Sequence, residues 1–242
     1  MRSLRVVANR VLWRWGLRDV LPGYYVHRIP VAECGEPLEL IPAAPGRLLL
    51  DPRLGRQHLA RRSVACALHQ TAELLPDDVQ LLVVEGYRSP ALQRQLWSAT
   101  REEIVRTHPL ASPSEIDRLT KLIVARPGRE GGGHQTGAAV DITLADAVGT
   151  ELWMGTGVGE FTAATRARAK VTDIVGWRRQ LLTRCLTEVG FINYPAEWWH
   201  FSMGDRLWAA YGRHPAARFG PAAVEEISKN MKPSQWWPLA GK

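Results

Sequence analysis

Two short runs, His134-Gln135-Thr136-Gly137-Ala138-Ala139-Val140-Asp141 and Glu197-Trp198-Trp199-His200, place two imidazoles, an aspartate and a spare glutamate in one chain. A catalytic zinc takes three such protein ligands and keeps its fourth position for water, whereas a structural zinc closes all four, most often with cysteine. The bound water has its pKa lowered toward neutrality and becomes a nucleophile, and a carboxylate that is not a ligand can carry its proton to a leaving amine. On residue type, His134, Asp141 and His200 are therefore assigned as ligands of one Zn2+ per chain, and Glu197 as the base.

Each of these residues has a blander explanation, and the local context argues against it. A lone histidine beside glycines is ordinarily a surface or hydrogen-bonded residue, but Gly131-Gly132-Gly133 lets backbone approach a ligand without side-chain obstruction. Asp141 falls in the apolar run Ala138–Leu144, read as a strand, where an unpaired carboxylate is costly to bury and so needs a cation. Glu197 and His200 follow Phe191-Ile192-Asn193-Tyr194, a second predicted strand, in a Trp-rich segment where they are poor core residues. Of Trp198 and Trp199, one is expected to line the site. His58 and His69, placed on a helix with no second ligand at i+3 or i+4, and His27, His108 and His214, in loops, are read as structural or solvent-exposed.

The elements that must position these residues follow from periodicity. Apolar positions Ala60, Val64, Leu68, Ala72 and Leu75 predict a helix over 57–75 that ends at Pro76. Val79–Val84 is a short apolar run, a buried strand. Ser89-Pro90 caps the next helix, Ser112-Pro113-Ser114-Glu115 opens another with a capping box, and a third runs from Val175 to Val189 and stops at Gly190. Helices thus alternate with strands in a mixed α+β fold, and Val140–Leu144 and Phe191–Tyr194 are expected side by side in one sheet.

At 242 residues, 45% hydrophobic and 23% charged, the chain suits one soluble domain. A net charge of +7 raises nucleic acid or an anionic surface as partners, yet the arginines are scattered and no nucleic-acid motif is present, so a solvated basic surface is expected. Cys34, Cys66 and Cys185 form no CxxC motif; Cys66 and Cys185 are read as buried thiols suited to a reducing, cytoplasmic setting. Arginines interrupt every apolar run of Met1–Trp15 short of a secretory signal, and no segment is long enough to span a membrane. The tail from Glu225, with Trp236-Trp237, either packs on the domain or binds a partner.

These motifs, in this order and spacing, resemble the D-alanyl-D-alanine dipeptidases, the VanX-like zinc peptidases, from about Leu59 to about Pro221. Two further stretches carry the likeness: Val83-Val84-Glu85-Gly86-Tyr87-Arg88-Ser89-Pro90, and Glu151-Leu152-Trp153-Met154-Gly155-Thr156. The resemblance implies a central, mostly antiparallel sheet flanked by helices with the zinc on the sheet, the D,D-peptidase or hedgehog-like fold. It divides the chain into an extension over 1–56 packing on the domain, a zinc peptidase domain over 57–222 and a tail over 223–242. It also implies that Arg88 polarises the scissile carbonyl and stabilises the oxyanion, that Met154-Gly155-Thr156 lines the pocket, and that the substrate is D-Ala-D-Ala. Two departures stand out. Gly159 occupies the place of an acid that holds the dipeptide's amino group, and Gly132 and Gly133 stand where a serine often precedes the first histidine. Either Glu160 substitutes, or the substrate is acylated or longer than a dipeptide, which makes a D,D-carboxypeptidase or tailoring amidase the alternative enzyme. A non-catalytic zinc-containing binding module is the alternative from another class, and it needs neither Glu197 nor Arg88.

Overall fold

The computed structural model describes residues 19–55, 58–128 and 131–222; the basic stretch Met1–Trp15 and the tail from Glu225 lie outside them. Its centre is a five-stranded sheet in the order β2-β4-β5-β7-β6, formed by β2 (Leu48–Leu50), β4 (Val79–Glu85), β5 (Ala139–Asp146), β7 (His200–Ser202) and β6 (Ile192–Asn193). All pairings are antiparallel except β2 with β4, which is parallel. The expected α+β class and mostly antiparallel sheet are thus observed. β4 is buried at every position, which explains why, Gln80 and the closing Glu85 apart, it reads as an apolar run and not as an alternating one.

Two helices, α2 (Arg62–Glu73) and α5 (Asp173–Glu188), pack against each other and against the sheet. Their inward residues Val64, Leu68, Leu182 and Leu186 share one core with Leu81, Val83, Ile142 and Leu144. Burying each such side chain is worth about 1.5–3 kcal/mol relative to exposure. α3 (Pro90–Thr107) and α4 (Pro113–Ile123) pack as a pair, each begun by a serine that accepts a backbone N–H: Ser89 from Leu92 and Ser112 from Glu115. A short turn α1 (Gly23–Val26) packs on α6 (Arg206–Gly212).

Three expectations are corrected. The helix foreseen over 57–75 begins only at Arg62, because Leu59–Arg61 forms β3, paired antiparallel with β1 (Leu38–Leu40). That partner lies too far along the chain for local periodicity to show it, and His58 accordingly precedes a strand instead of sitting on a helix. The predicted strands Val140–Leu144 and Phe191–Tyr194 are not neighbours either, since β7, which begins at His200 itself, lies between them. Cys185 is buried but Cys66 is exposed, on the side of α2 away from Val64 and Leu68.

Candidate metal centre and active site

The site forms where three backbone segments meet. Asp141 and His200 are directly paired residues of β5 and β7. A β-bulge between Val83 and Glu85 shifts the β4 register so that Glu85 stands opposite Asp141. Two carboxylates facing each other across strands repel, so each needs its own cation. Glu85 has Arg88, whose Nε donates to Oε1 at 2.7 Å while NH2 pairs with Oε2. Asp141 has the imidazoles: His200 Nδ1 at 3.0 Å and His134 Nε2 at 3.3 Å.

His134 rides on a single 3-10 turn, Gly133–Thr136, closed by Gly137 in the left-handed region at φ 71°. Its ring is fixed by Nδ1 against the Gly86 carbonyl at 2.8 Å, which leaves Nε2 for the cluster, and Arg88 N–H donates back to the His134 carbonyl at 3.1 Å. The 86–88 and 133–136 turns therefore clasp each other. Arg61, buried, extends the clasp by donating from Nε to the Thr136 carbonyl at 2.7 Å.

One donor atom from each of His134, Asp141 and His200 lies within 4.8 Å of the others, and all three residues are buried. The set suits a divalent cation of intermediate softness. Burial alone would favour neutral Asp141, yet the two imidazoles outweigh it and hold the carboxyl at about 2. Burial likewise opposes charge on His200, but Asp141 lifts its pKa to about 9. The buried carboxylate and the two imidazoles facing it thus favour positive charge at this point of the site. Glu197 reaches to 4.0 Å from His200 Nδ1, with its carboxyl pushed above the usual range chiefly by burial.

All five residues singled out from the sequence, His134, Asp141, His200, Glu197 and Arg88, line one cavity of about 380 Å³. Trp199 lines it and Trp198 does not: Trp198 lies behind, its indole N–H donating to Thr156 Oγ1 at 2.8 Å. The Met154-Gly155-Thr156 segment is accordingly absent from the cavity wall and supports it through Trp198, with Met154 in the core. The Glu160 carboxylate is turned to the Gly157 N–H at 2.8 Å, outside the cavity lining.

Four lining or supporting residues escaped sequence reasoning. Glu85 had a signal, a carboxylate closing an apolar strand. Gln93, which accepts from Arg88 NH1 at 3.0 Å and donates to the Ala125 carbonyl at 2.7 Å, had none. Asp205 caps α6 by accepting the Trp208 N–H and also accepts from Ser202 Oγ. It lies so close under Gly133 that a Cβ there would meet Oδ2 at 2.5 Å, so a side chain cannot stand at this position without moving it. Tyr194 sets its ring edge-on to His200, with burial raising its hydroxyl to about 12. His27 is exposed as expected, but on the cavity's edge.

The family described as D-ala-D-ala dipeptidase matches residues 46–217. A D-alanyl-D-alanine dipeptidase of Synechocystis sp. (strain ATCC 27184 / PCC 6803 / Kazusa) is 30% identical over 223 residues, 77% of this chain and 90% of that one. Two solved structures are more distant. A vancomycin resistance D,D-pentapeptidase VanY mutant in complex with Zn(II) shares 17% identity over 77% of this chain and 88% of that one, with a TM-score of 0.45. VanYB in complex with D-alanine-D-alanine shares 16% over 78% and 92%, with a TM-score of 0.46. On the family match and the Synechocystis relative, the chain belongs to the D-alanyl-D-alanine dipeptidase family of peptidases.

Proposed function

We propose that this protein is a zinc-dependent peptidase that hydrolyses D-alanyl-D-alanine or a closely related dipeptide containing a D-amino acid. The observation that carries the reading is the convergence of His134, Asp141 and His200 with Glu197 and Arg88 in one cavity. His134, Asp141 and His200 are the residues that would hold the zinc, which when bound would supply the Lewis acidity that polarises a carbonyl and makes water acidic enough to attack at neutral pH. Glu197 takes the proton of the attacking water and returns it to the departing amine, a role suited to a carboxyl whose pKa is raised. Arg88 steadies the charge that develops on the carbonyl oxygen. Three of its N–H groups are committed to Glu85 and Gln93, which orients the guanidinium and leaves two donors for the substrate.

Glu197→Ala should retain the metal and lose turnover by at least about a hundredfold, read as amine release from D-Ala-D-Ala. Near-normal rates in that variant would sink the assignment. A second reading, hydrolysis of an N-acylated D,D-peptide, draws on Gly159 and on the Glu160 carboxylate being committed to Gly157; parallel assay of the free and the acylated peptide separates the two. The free thiols Cys34, Cys66 and Cys185 fit a cytoplasmic setting.

A further inference from the structure

The stretch 19–34 contributes Leu21, Gly23, Val26, His27 and Val31 to the cavity lining and forms a strap clipped near both ends. At its start, Asp19 pairs with Arg166 and the Leu21 N–H donates to Tyr211 Oη at 2.8 Å. At its far end, Arg206 Nε donates to the Ile29 carbonyl at 3.0 Å, Ala32 N–H to the Ala217 carbonyl at 2.8 Å, and Gly220 N–H to Glu33 Oε2 at 2.6 Å. Between the clips, α1 closes on itself through His27 N–H to the Gly23 carbonyl at 2.9 Å, and it presents Val26 and His27 to the cavity that holds Glu197 and the metal ligands. The strap is thus part of the wall that bounds the cavity, and about 380 Å³ is at the small end of the range for ligand sites.

We propose that the strap, through Val26 and His27, determines substrate length: it closes the site around a free dipeptide and excludes a peptide that continues past the first residue. This rests on the dipeptidase reading above. The Asp19–Arg166 pair is its most separable clip, because both side chains are partly exposed and Arg166 lies outside the cavity lining.

The test reads binding without turnover, in zinc-loaded Glu197→Gln protein titrated calorimetrically with D-Ala-D-Ala and with an N-acylated peptide ending in D-Ala-D-Ala. Arg166→Asp sets like charges at the clip and should tighten the acylated peptide roughly fivefold while the free dipeptide changes less than about twofold. Adding Asp19→Arg restores opposite charges and should restore the exclusion. Val26→Ala, which trims the wall and leaves the clips intact, should act in the same direction as Arg166→Asp. Proportional changes for both peptides, or none for either, would overturn the proposal. Failure of the dipeptidase reading shows separately, as absence of D-Ala-D-Ala hydrolysis by the unaltered zinc-loaded protein.

Discussion

Around one cavity, Asp141 and His200 stand on paired strands and His134 on a turn clasped to the 86–88 turn, while residues 19–34 form a second side, a strap held near its ends. The first side is braced at each residue by ladder bonds and by contacts between buried groups. The second depends on a few clips, one of them an exposed ion pair of the kind worth about 0–1 kcal/mol. Chemistry that tolerates little displacement is thereby placed on the rigid side, and substrate choice on the side that can change at small cost. Substitutions on the sheet side should abolish function, whereas substitutions on the strap should redirect it.

The sharpest way to break that contrast is Asp141→Asn. It keeps the shape of the side chain and removes the charge that faces both imidazoles, leaving a weaker neutral oxygen among three donors. Metal affinity should fall by at least about a hundredfold, measured by competition with a chelator, while the Arg166→Asp strap variant keeps the affinity of the parent. Equal losses in both variants would show that the strap supports the metal centre as much as the sheet does.

The difference between the two sides also explains what was legible in the sequence. His134, Asp141, Glu197 and His200 could be found because their types contradict their surroundings: a carboxylate in Ala138–Leu144, and a glutamate and a histidine among tryptophans. The helices from Pro90 and Pro113 were legible because Ser-Pro at the start is local chemistry. β3 and β7 were not, being three residues each and defined only by partners elsewhere in the chain. His27 read as a loop residue because its place at the cavity depends on clips to Tyr211, Arg206 and Ala217, nearly two hundred residues away. The pocket role expected of Met154-Gly155-Thr156 missed by one layer, since Trp198 stands between.

A smaller effect is expected one step back from the reaction, at Gln93. Its amide ties Arg88 NH1 to the Ala125 carbonyl, and so links the guanidinium to the wall that follows α4. Gln93→Ala leaves the bidentate Glu85 contact in place but lets the guanidinium rock. With zinc loaded, kcat should fall roughly tenfold with KM nearly unchanged, as for loss of an interaction that matters mainly in the transition state. The cost in stability should be about 1–2 kcal/mol, from a buried Arg88 donor left unpaired and the lost bond to the Ala125 carbonyl. A rise in KM at unchanged kcat would instead make Gln93 a substrate contact, and would bring the sheet side closer to the strap in character.

The smallest effect is expected at Glu160, and it bears on the question that Gly159 raises. As the loop stands, the Glu160 carboxylate caps the Gly157 N–H, while its own backbone carbonyl accepts from Thr165 Oγ1 at 2.7 Å. Glu160→Ala therefore removes a local loop cap worth about 0.5–1.5 kcal/mol and little else. Hydrolysis of free D-Ala-D-Ala should stay within about twofold of the parent, because the carboxylate lies outside the cavity lining. A KM that rises more than about tenfold for the free dipeptide, but not for its N-acylated counterpart, would mean that Glu160 leaves Gly157 and swings in to hold the substrate's ammonium group. The loop 157–161 would then join the strap as an adaptable wall, leaving the rigid part of the site confined to His134, Asp141, His200, Glu197 and Arg88.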